Sequence, residues 1–274
     1  MNIGISTLFN LDLPLETVVP MVKKAGFDAL SLMEIGEEGS VFLTTEERTG
    51  IKSMCNDYDI TIDSLHAPLG SDIDVSSSDT RVRMYSVGVV KRAIDACIDI
   101  GCKIVCLHLS NDFEDPELDT RIKTAHESLH HLVPYARQHG VCIALENLFR
   151  QNSIVLFDHM LTQFQEKNIG VCYDSSHALI AGDLFTPLER YRERIMAVHI
   201  SDNRGQTDDH ILPYEGVIDW NAFARRFARI NYAGTFLLEV DMQNSSFKEP
   251  TVFLDEAYKR AKKIISLLQS INNE

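Results

Sequence analysis

The chain has 274 residues, 45% hydrophobic and 24% charged, which is enough apolar material for a sizeable core and excludes a disordered polymer. Its 26 Lys and Arg against 40 Asp and Glu leave a formal charge of −14, a field that repels nucleic-acid phosphates and anionic membrane surfaces. No run reaches about 18 apolar residues, and Met1 to Ser6 carries no basic stretch leading into an apolar segment, so the expected setting is the cytoplasm.

Ile3 to Ser6 predicts a first strand, and Leu15, Val18, Val22 and Ala25 then recur at helical spacing until Gly26, a residue suited to a helix C-cap. Ala29 to Glu34 predicts a second strand and Thr44 to Tyr58 a helix. Ile60 to His66 predicts a third strand, followed by a long helix with Val82, Tyr85, Val89, Ala93, Ala96 and Ile100 on one face and Gly101 at its end. Lys103 to His108 predicts the fourth strand, and the helix marked by Ile122, Ala125, Leu129, Leu132 and Ala136 closes at Gly140. The remaining strands are expected at Val141 to Glu146, Ile169 to Asp174, Ile195 to Ile200 and Thr235 to Val240. Helices are expected near Val155 to Glu166, Leu188 to Glu193, Trp220 to Ile230 and Thr251 to Leu268.

Eight strands, each followed by a helix, predict an α/β fold: a (β/α)₈ TIM barrel, occupying residues 1–274 as one domain. The competing open, doubly wound sheet normally carries a phosphate-binding glycine fingerprint after its first strand, which this sequence lacks. The cysteines, among them Cys97, Cys102, Cys106, Cys142 and Cys172, form no CxxC pair. They read as buried free thiols in a reducing compartment, in preference to disulfides or a thiolate metal site.

In such a barrel the loops after the strands build the active face, so the last residue of each apolar run carries the functional signal. The third to eighth strands end in His66, His108, Glu146, Asp174, His199 and Glu239. One histidine or carboxylate at a strand end is ordinarily a hydrogen-bonded structural residue or a helix N-cap. Six in register would repel and desolvate one another unless a cation compensated them. Glu146, Asp174, His199 and Glu239 form an oxygen-rich set suited to Mn²⁺, Mg²⁺ or Co²⁺, with Zn²⁺ also feasible, and His66, His108, His177, Asp208 and His210 are additional candidates that add nitrogen. Trp220 reads as packing for a barrel helix.

Several of these residues fall in short motifs: Leu145-Glu146-Asn147, the Asp174 and His177 pair, His199-Ile200-Ser201-Asp202-Asn203, Asp208-Asp209-His210, and Glu215-Gly216-Val217-Ile218-Asp219-Trp220. In this order they resemble the xylose isomerase-like barrel superfamily, which includes sugar isomerases, ketose epimerases, inosose dehydratase-type enzymes and the endonuclease IV type of apurinic-site nuclease. The resemblance implies a shared divalent metal, Mn²⁺ or Zn²⁺ foremost, held by Glu146, Asp174, His199 and Glu239, with Glu146 and Glu239 as the acid/base pair. It also implies proton transfer on a sugar, sugar phosphate or polyol through a metal-stabilised enediolate. His66, His108, His177, Arg150 and Arg204 are then candidates for substrate contact.

The same resemblance supplies a rival. His66, His108, Glu146, Asp174, His177, His199, Asp208, His210 and Glu239 match the three-zinc ligand pattern of the endonuclease IV type, against which stands the acidic charge. A non-catalytic carbohydrate-binding barrel is a third alternative. The expected partner is a small sugar or polyol, with no nucleic acid and no membrane, in a chain that could self-associate. One departure stands out: the ketose 3-epimerases carry a further glutamate soon after the fifth-strand ligand, where this chain reads Asn147-Leu148-Phe149-Arg150-Gln151-Asn152. Arg150 and Arg204 could meet a substrate carboxylate or phosphate, or be solvated loop residues.

Overall fold

A computed structural model of the chain describes residues 1–34, 41, 43–111, 113 and 115–272. Its strands are β1 (Ile3–Ser6), β2 (Ala29–Leu32), β3 (Thr61–His66), β4 (Ile104–Leu107), β5 (Cys142–Glu146), β6 (Ile169–Asp174), β7 (Ile195–His199) and β8 (Phe236–Leu238). All neighbours pair in parallel, in the order β7-β6-β5-β4-β3-β2-β1-β8. The ring closes where Ile200 N donates to Leu237 O at 2.9 Å and Glu239 N donates to Ile200 O at 3.1 Å. This is the expected (β/α)₈ barrel.

The helices are α1 (Leu15–Ala25), α2 (Thr45–Asp57), α3 (Thr80–Ile100), α4 (Leu118–Gln138), α5 (Gln151–Gln163), α6 (Ser175–Ile180), α7 (Thr186–Arg190), α8 (Trp220–Phe227) and α9 (Pro250–Asn272). Local chemistry sets their ends. Thr44 and Glu47 form a reciprocal capping box at the start of α2. Gly26 and Gly101 end α1 and α3 at φ 104° and 87°, a region where only glycine sits without a Cβ penalty.

The differences from expectation have local causes. The helix expected at Val155 to Glu166 starts at Gln151 and stops earlier, where extended Phe164 breaks the turn and Gln165 Nε2 caps Leu161 O and Thr162 O. The segment expected as Leu188 to Glu193 divides into α7 and a 3₁₀ turn at Arg192–Arg194. Trp220 to Ile230 likewise divides at Ala228. The short α6 lacks a periodic apolar signal and was not expected; Asp174 nucleates it as N-cap.

Cys97 and Cys102 correct the expectation of free thiols: they are joined in a disulfide. The left-handed Gly101 turns the chain back over the end of α3, bringing the two Cα atoms to 5.0 Å. Cys55, Cys106 and Cys172 are buried and free, and Cys142 is half-buried and free. Among the described residues no helix is long and apolar enough to cross a membrane.

Candidate metal centre

The strand register delivers the predicted side chains to one end of the barrel. His66, Glu146, Asp174 and His199 are the last residues of β3, β5, β6 and β7, while His108 and Glu239 follow the last residues of β4 and β8. His177 lies in α6, and Asp208 and His210 in the loop after β7. Side chains that are far apart in sequence thereby form three groups whose ligand atoms lie within 4.8 Å of one another: His66, His108 and Glu146; Glu146, Asp174, His199 and Glu239; His177, Asp208 and His210. Glu146 belongs to two of them.

The hydrogen bonds fix which ring nitrogen faces the carboxylates. His66 Nδ1 lies 2.7 Å from Ala67 O, His177 Nδ1 3.0 Å from Asn147 O, and His210 Nδ1 3.1 Å from Glu239 O. A carbonyl only accepts, so each Nδ1 carries its proton, and in the neutral ring Nε2 presents a lone pair. Those lone pairs point at anions: His66 Nε2 lies 3.2 Å from Glu146 Oε2, and His177 and His210 Nε2 lie 2.9 and 3.0 Å from Asp208 Oδ2. His108 Nε2 and His199 Nδ1 reach the same Glu146 oxygen at 3.3 and 3.1 Å. Lone pairs facing carboxylate oxygens at this range repel unless a proton or a cation lies between them.

The chain holds oxygens and nitrogens in reserve for such a cation. Glu146 Oε1, Asp174 Oδ2, Asp208 Oδ1 and both nitrogens of His199 are buried without a hydrogen-bond partner. Unpartnered buried polar atoms are costly and rare, and here they cluster at one place. A hard or borderline divalent ion fits the donor set. Asp174 shows how a ligand and a cap coexist, since Oδ1 accepts from His177 N at 2.6 Å while Oδ2 is left over.

Electrostatics show what substitutes for a cation. Burial opposes ionisation of Glu146, but the facing imidazoles of His199 and His108 outweigh it and hold the carboxyl well below its usual range. Burial also works against the His210 imidazolium, yet the Asp208 carboxylate hydrogen-bonded to it pushes that ring up to about 10. Burial pushes Asp174 up to about 7, against the pull of His177. In the absence of metal, burial opposes protonation of His66, His177, His199 and His210, but the neighbouring carboxylates outweigh it and favour a proton there, whereas burial lowers His108.

Two predicted residues stand apart from these groups. Arg204 is exposed and paired with Asp209 at 3.4 Å, and Arg150 is exposed at the start of α5 with its guanidinium over the Phe149 ring. Trp220 does more than pack: its indole N–H donates to Asp202 at 3.0 Å, and buried Asp202 also accepts from the backbone of Asn203, Tyr214 and Ile218. Asp202 thus anchors the loop that carries Asp208 and His210, a role with no sequence signal beyond its place in a short motif.

A family model described as xylose isomerase-like TIM barrel matches residues 19–266. The chain belongs to that family. Among relatives of this xylose isomerase-like barrel, the protein y4fM of Sinorhizobium fredii is 30% identical over 62% of this chain, which spans 58% of that protein. The probable endonuclease 4 of Mycobacterium leprae is 29% identical over 57% of this chain and 64% of its own length. The putative L-ribulose-5-phosphate 3-epimerase SgbU of Haemophilus influenzae is 23% identical over 87% of both chains. Among solved structures, a D-tagatose 3-epimerase-like protein superposes with a TM-score of 0.81 at 23% identity, covering 100% of this barrel and 99% of its own chain. The IolI protein with a bound zinc atom superposes at 0.77 and 18% identity, covering 99% of each chain.

Proposed function

We propose that this barrel is a metal-dependent sugar isomerase or epimerase that moves a proton beside a carbonyl. The supporting observation is the meeting of two glutamates from opposite parts of the chain at one imidazole: His199 Nδ1 lies 3.1 Å from Glu146 Oε2 and 3.2 Å from Glu239 Oε2. Glu146, Asp174, His199 and Glu239 would hold the divalent ion, with Mn²⁺ or Zn²⁺ as the best fits and Co²⁺ or Mg²⁺ as further ones. An ion bound there would supply Lewis-acid polarisation of a carbonyl oxygen and would offset the negative charge that develops on it.

The chain's own groups supply the remaining chemistry. One glutamate carboxylate removes the proton from the carbon beside the carbonyl, and the other glutamate returns a proton from the opposite face. Both side chains are almost fully buried, so water competes poorly for the exchanging proton. His108, the more open of the imidazoles beside Glu146, would orient a substrate hydroxyl together with His66 and His177. Arg150, just before α5, and Arg204, in the loop after β7, would meet a substrate carboxylate or phosphate. Kinship with SgbU and the fold shared with the tagatose epimerase-like protein support a sugar as the substrate class.

A second reading, phosphodiester cleavage, is favoured by the three ligand groups, two of which share Glu146, and by the endonuclease 4 relatives. The net charge of −14 works against a DNA duplex and ranks this reading second. Incubating the metal-loaded protein in D₂O with ketoses, aldoses, keto-inositols and their phosphates decides between the two. Deuterium entering beside a carbonyl is expected; no exchange on any substrate, together with cleavage of an abasic duplex, reverses the ranking.

A further inference from the structure

Beneath the carboxylates the barrel interior holds a layer of small buried residues: Cys106 of β4, Ala144 of β5, Cys172 of β6 and Ala197 of β7. The register pairs Cys106 with Ala144 and Cys172 with Ala197. Cys106 precedes His108 by two residues and Cys172 precedes Asp174 by two, so both thiols share the interior face of those ligands, one layer deeper. Both sulfurs and a ring nitrogen of His199 lie within 4.8 Å of one another.

His199 differs from its neighbours in this setting. His66, His177 and His210 each give one N–H to a backbone carbonyl, whereas both nitrogens of His199 are fully buried without a hydrogen-bond partner. Its Nδ1 faces Glu146 and Glu239. That leaves Nε2 for the sulfur layer.

We propose that Cys106, Cys172 and His199 Nε2 form a soft-cation site beneath the carboxylate centre, taking a thiophilic ion such as Zn²⁺, Cd²⁺ or Cu⁺. Two thiolates and an imidazole are the donors such ions prefer, as the harder Mn²⁺ and Mg²⁺ do not. Binding of a divalent ion forms two metal–sulfur bonds and one metal–nitrogen bond and releases to solvent the two thiol protons and any proton on His199 Nε2. With Nε2 on the ion the ring proton sits on Nδ1 and donates toward Glu146 and Glu239, so an ion below fixes the tautomer and orientation of the ring above; ions in both centres would share His199 as a bridging imidazolate, with the Nδ1 proton also released.

A disulfide between the same cysteines is the competing fate, and the topology opposes it. Strand β5 runs between β4 and β6, so the two backbones are separated by close to twice the ~4.8 Å strand spacing, beyond the ~7 Å Cα reach of a disulfide. A metal spans what a sulfur–sulfur bond does not, since two thiolates each ~2.3 Å from a shared ion sit about 4 Å apart.

Cadmium titration of the full-length protein tests the site, read by thiolate-to-cadmium charge-transfer absorption and by cadmium NMR. The unmodified protein should show a charge-transfer band with the amplitude of one ion bound by two thiolates and a chemical shift of mixed sulfur and nitrogen ligation. Cys106→Ser and Cys172→Ser should each abolish the two-thiolate signal, while Glu239→Gln retains it. Absence of the band in the unmodified protein, a reading that needs no variant to fold, overturns the proposal; so does a band that persists in both cysteine variants. Cadmium held by the carboxylates and imidazoles alone gives no sulfur transition, so failure of the isomerase reading leaves this result untouched.

Discussion

Asn147 and Asp174 are joined by a reciprocal pair of hydrogen bonds: Asn147 Nδ2 donates to Asp174 O at 3.0 Å, and Asp174 N donates to Asn147 Oδ1 at 2.8 Å. The carbonyl of Asn147 also accepts the Nδ1 proton of His177. The side-chain amide of Asn147 therefore sets the backbone of a ligand on β6, and its backbone carbonyl sets the ring of a ligand on α6.

Asn147→Ala should weaken divalent-metal binding by about 10- to 100-fold, the usual effect of removing a group that orients a ligand. Calorimetric titration of the metal-free protein measures it. Unchanged affinity would show that Asp174 is held by other contacts.

Glu239→Gln and Glu146→Gln should each lower solvent deuterium exchange by about 10²- to 10⁴-fold, the contribution of a positioned general acid or base. Glu146→Gln should in addition reduce the metal content more than Glu239→Gln, because Glu146 belongs to two ligand groups. Elemental analysis of the purified variants separates the two effects. In the unmodified protein the same analysis weighs the two functions, since about one metal per chain, or about two with the thiolate site also filled, fits the isomerase and about three zincs in the carboxylate and imidazole groups fit the phosphodiesterase.

In the metal-free protein the Asp208 carboxylate raises His210 from an ordinary histidine value to about 10, against burial. A raised pKa in the folded state means that the pair stabilises the fold below about pH 6.5 and that this contribution is lost as pH rises toward 10. Denaturant melts of the metal-free protein should therefore show falling stability across that window, and His210→Asn should flatten the slope. An ion held by Glu146, Asp174, His199 and Glu239 would displace the proton that these carboxylates hold on His199 in the metal-free protein, so calorimetry in buffers of different ionisation enthalpy should detect proton release on loading.

Asp202→Ala should lower stability by about 3 kcal/mol or more, because it strands the Trp220 indole and the backbone donors of Asn203, Tyr214 and Ile218 in the interior. Gly216→Ala should disturb the same loop, since a methyl there would run into Asn203 O and the Asp202 carboxylate. Urea melts give the stability, and loss of metal from an otherwise folded Gly216→Ala would place the effect at Asp208 and His210.

The sequence alone determined the barrel and the candidate ligands, because both obey local rules. Short, near-continuous apolar runs ending in His66, Glu146, Asp174, His199 and Glu239, with helical stretches stopped by Gly26 and Gly101, follow from backbone sterics and from the burial of parallel strands on both faces. Tertiary structure decided everything that depends on distance across the ring. Apart from the bond of His66 Nδ1 to the adjacent Ala67 O, the carbonyl partners that turn the Nε2 lone pairs of His177 and His210 toward a carboxylate, the exchange of hydrogen bonds between Asn147 and Asp174, and the approach of Cys106 and Cys172 to His199 join residues tens of positions apart. Strand tilt and closure place those groups, and no periodicity in the chain encodes them.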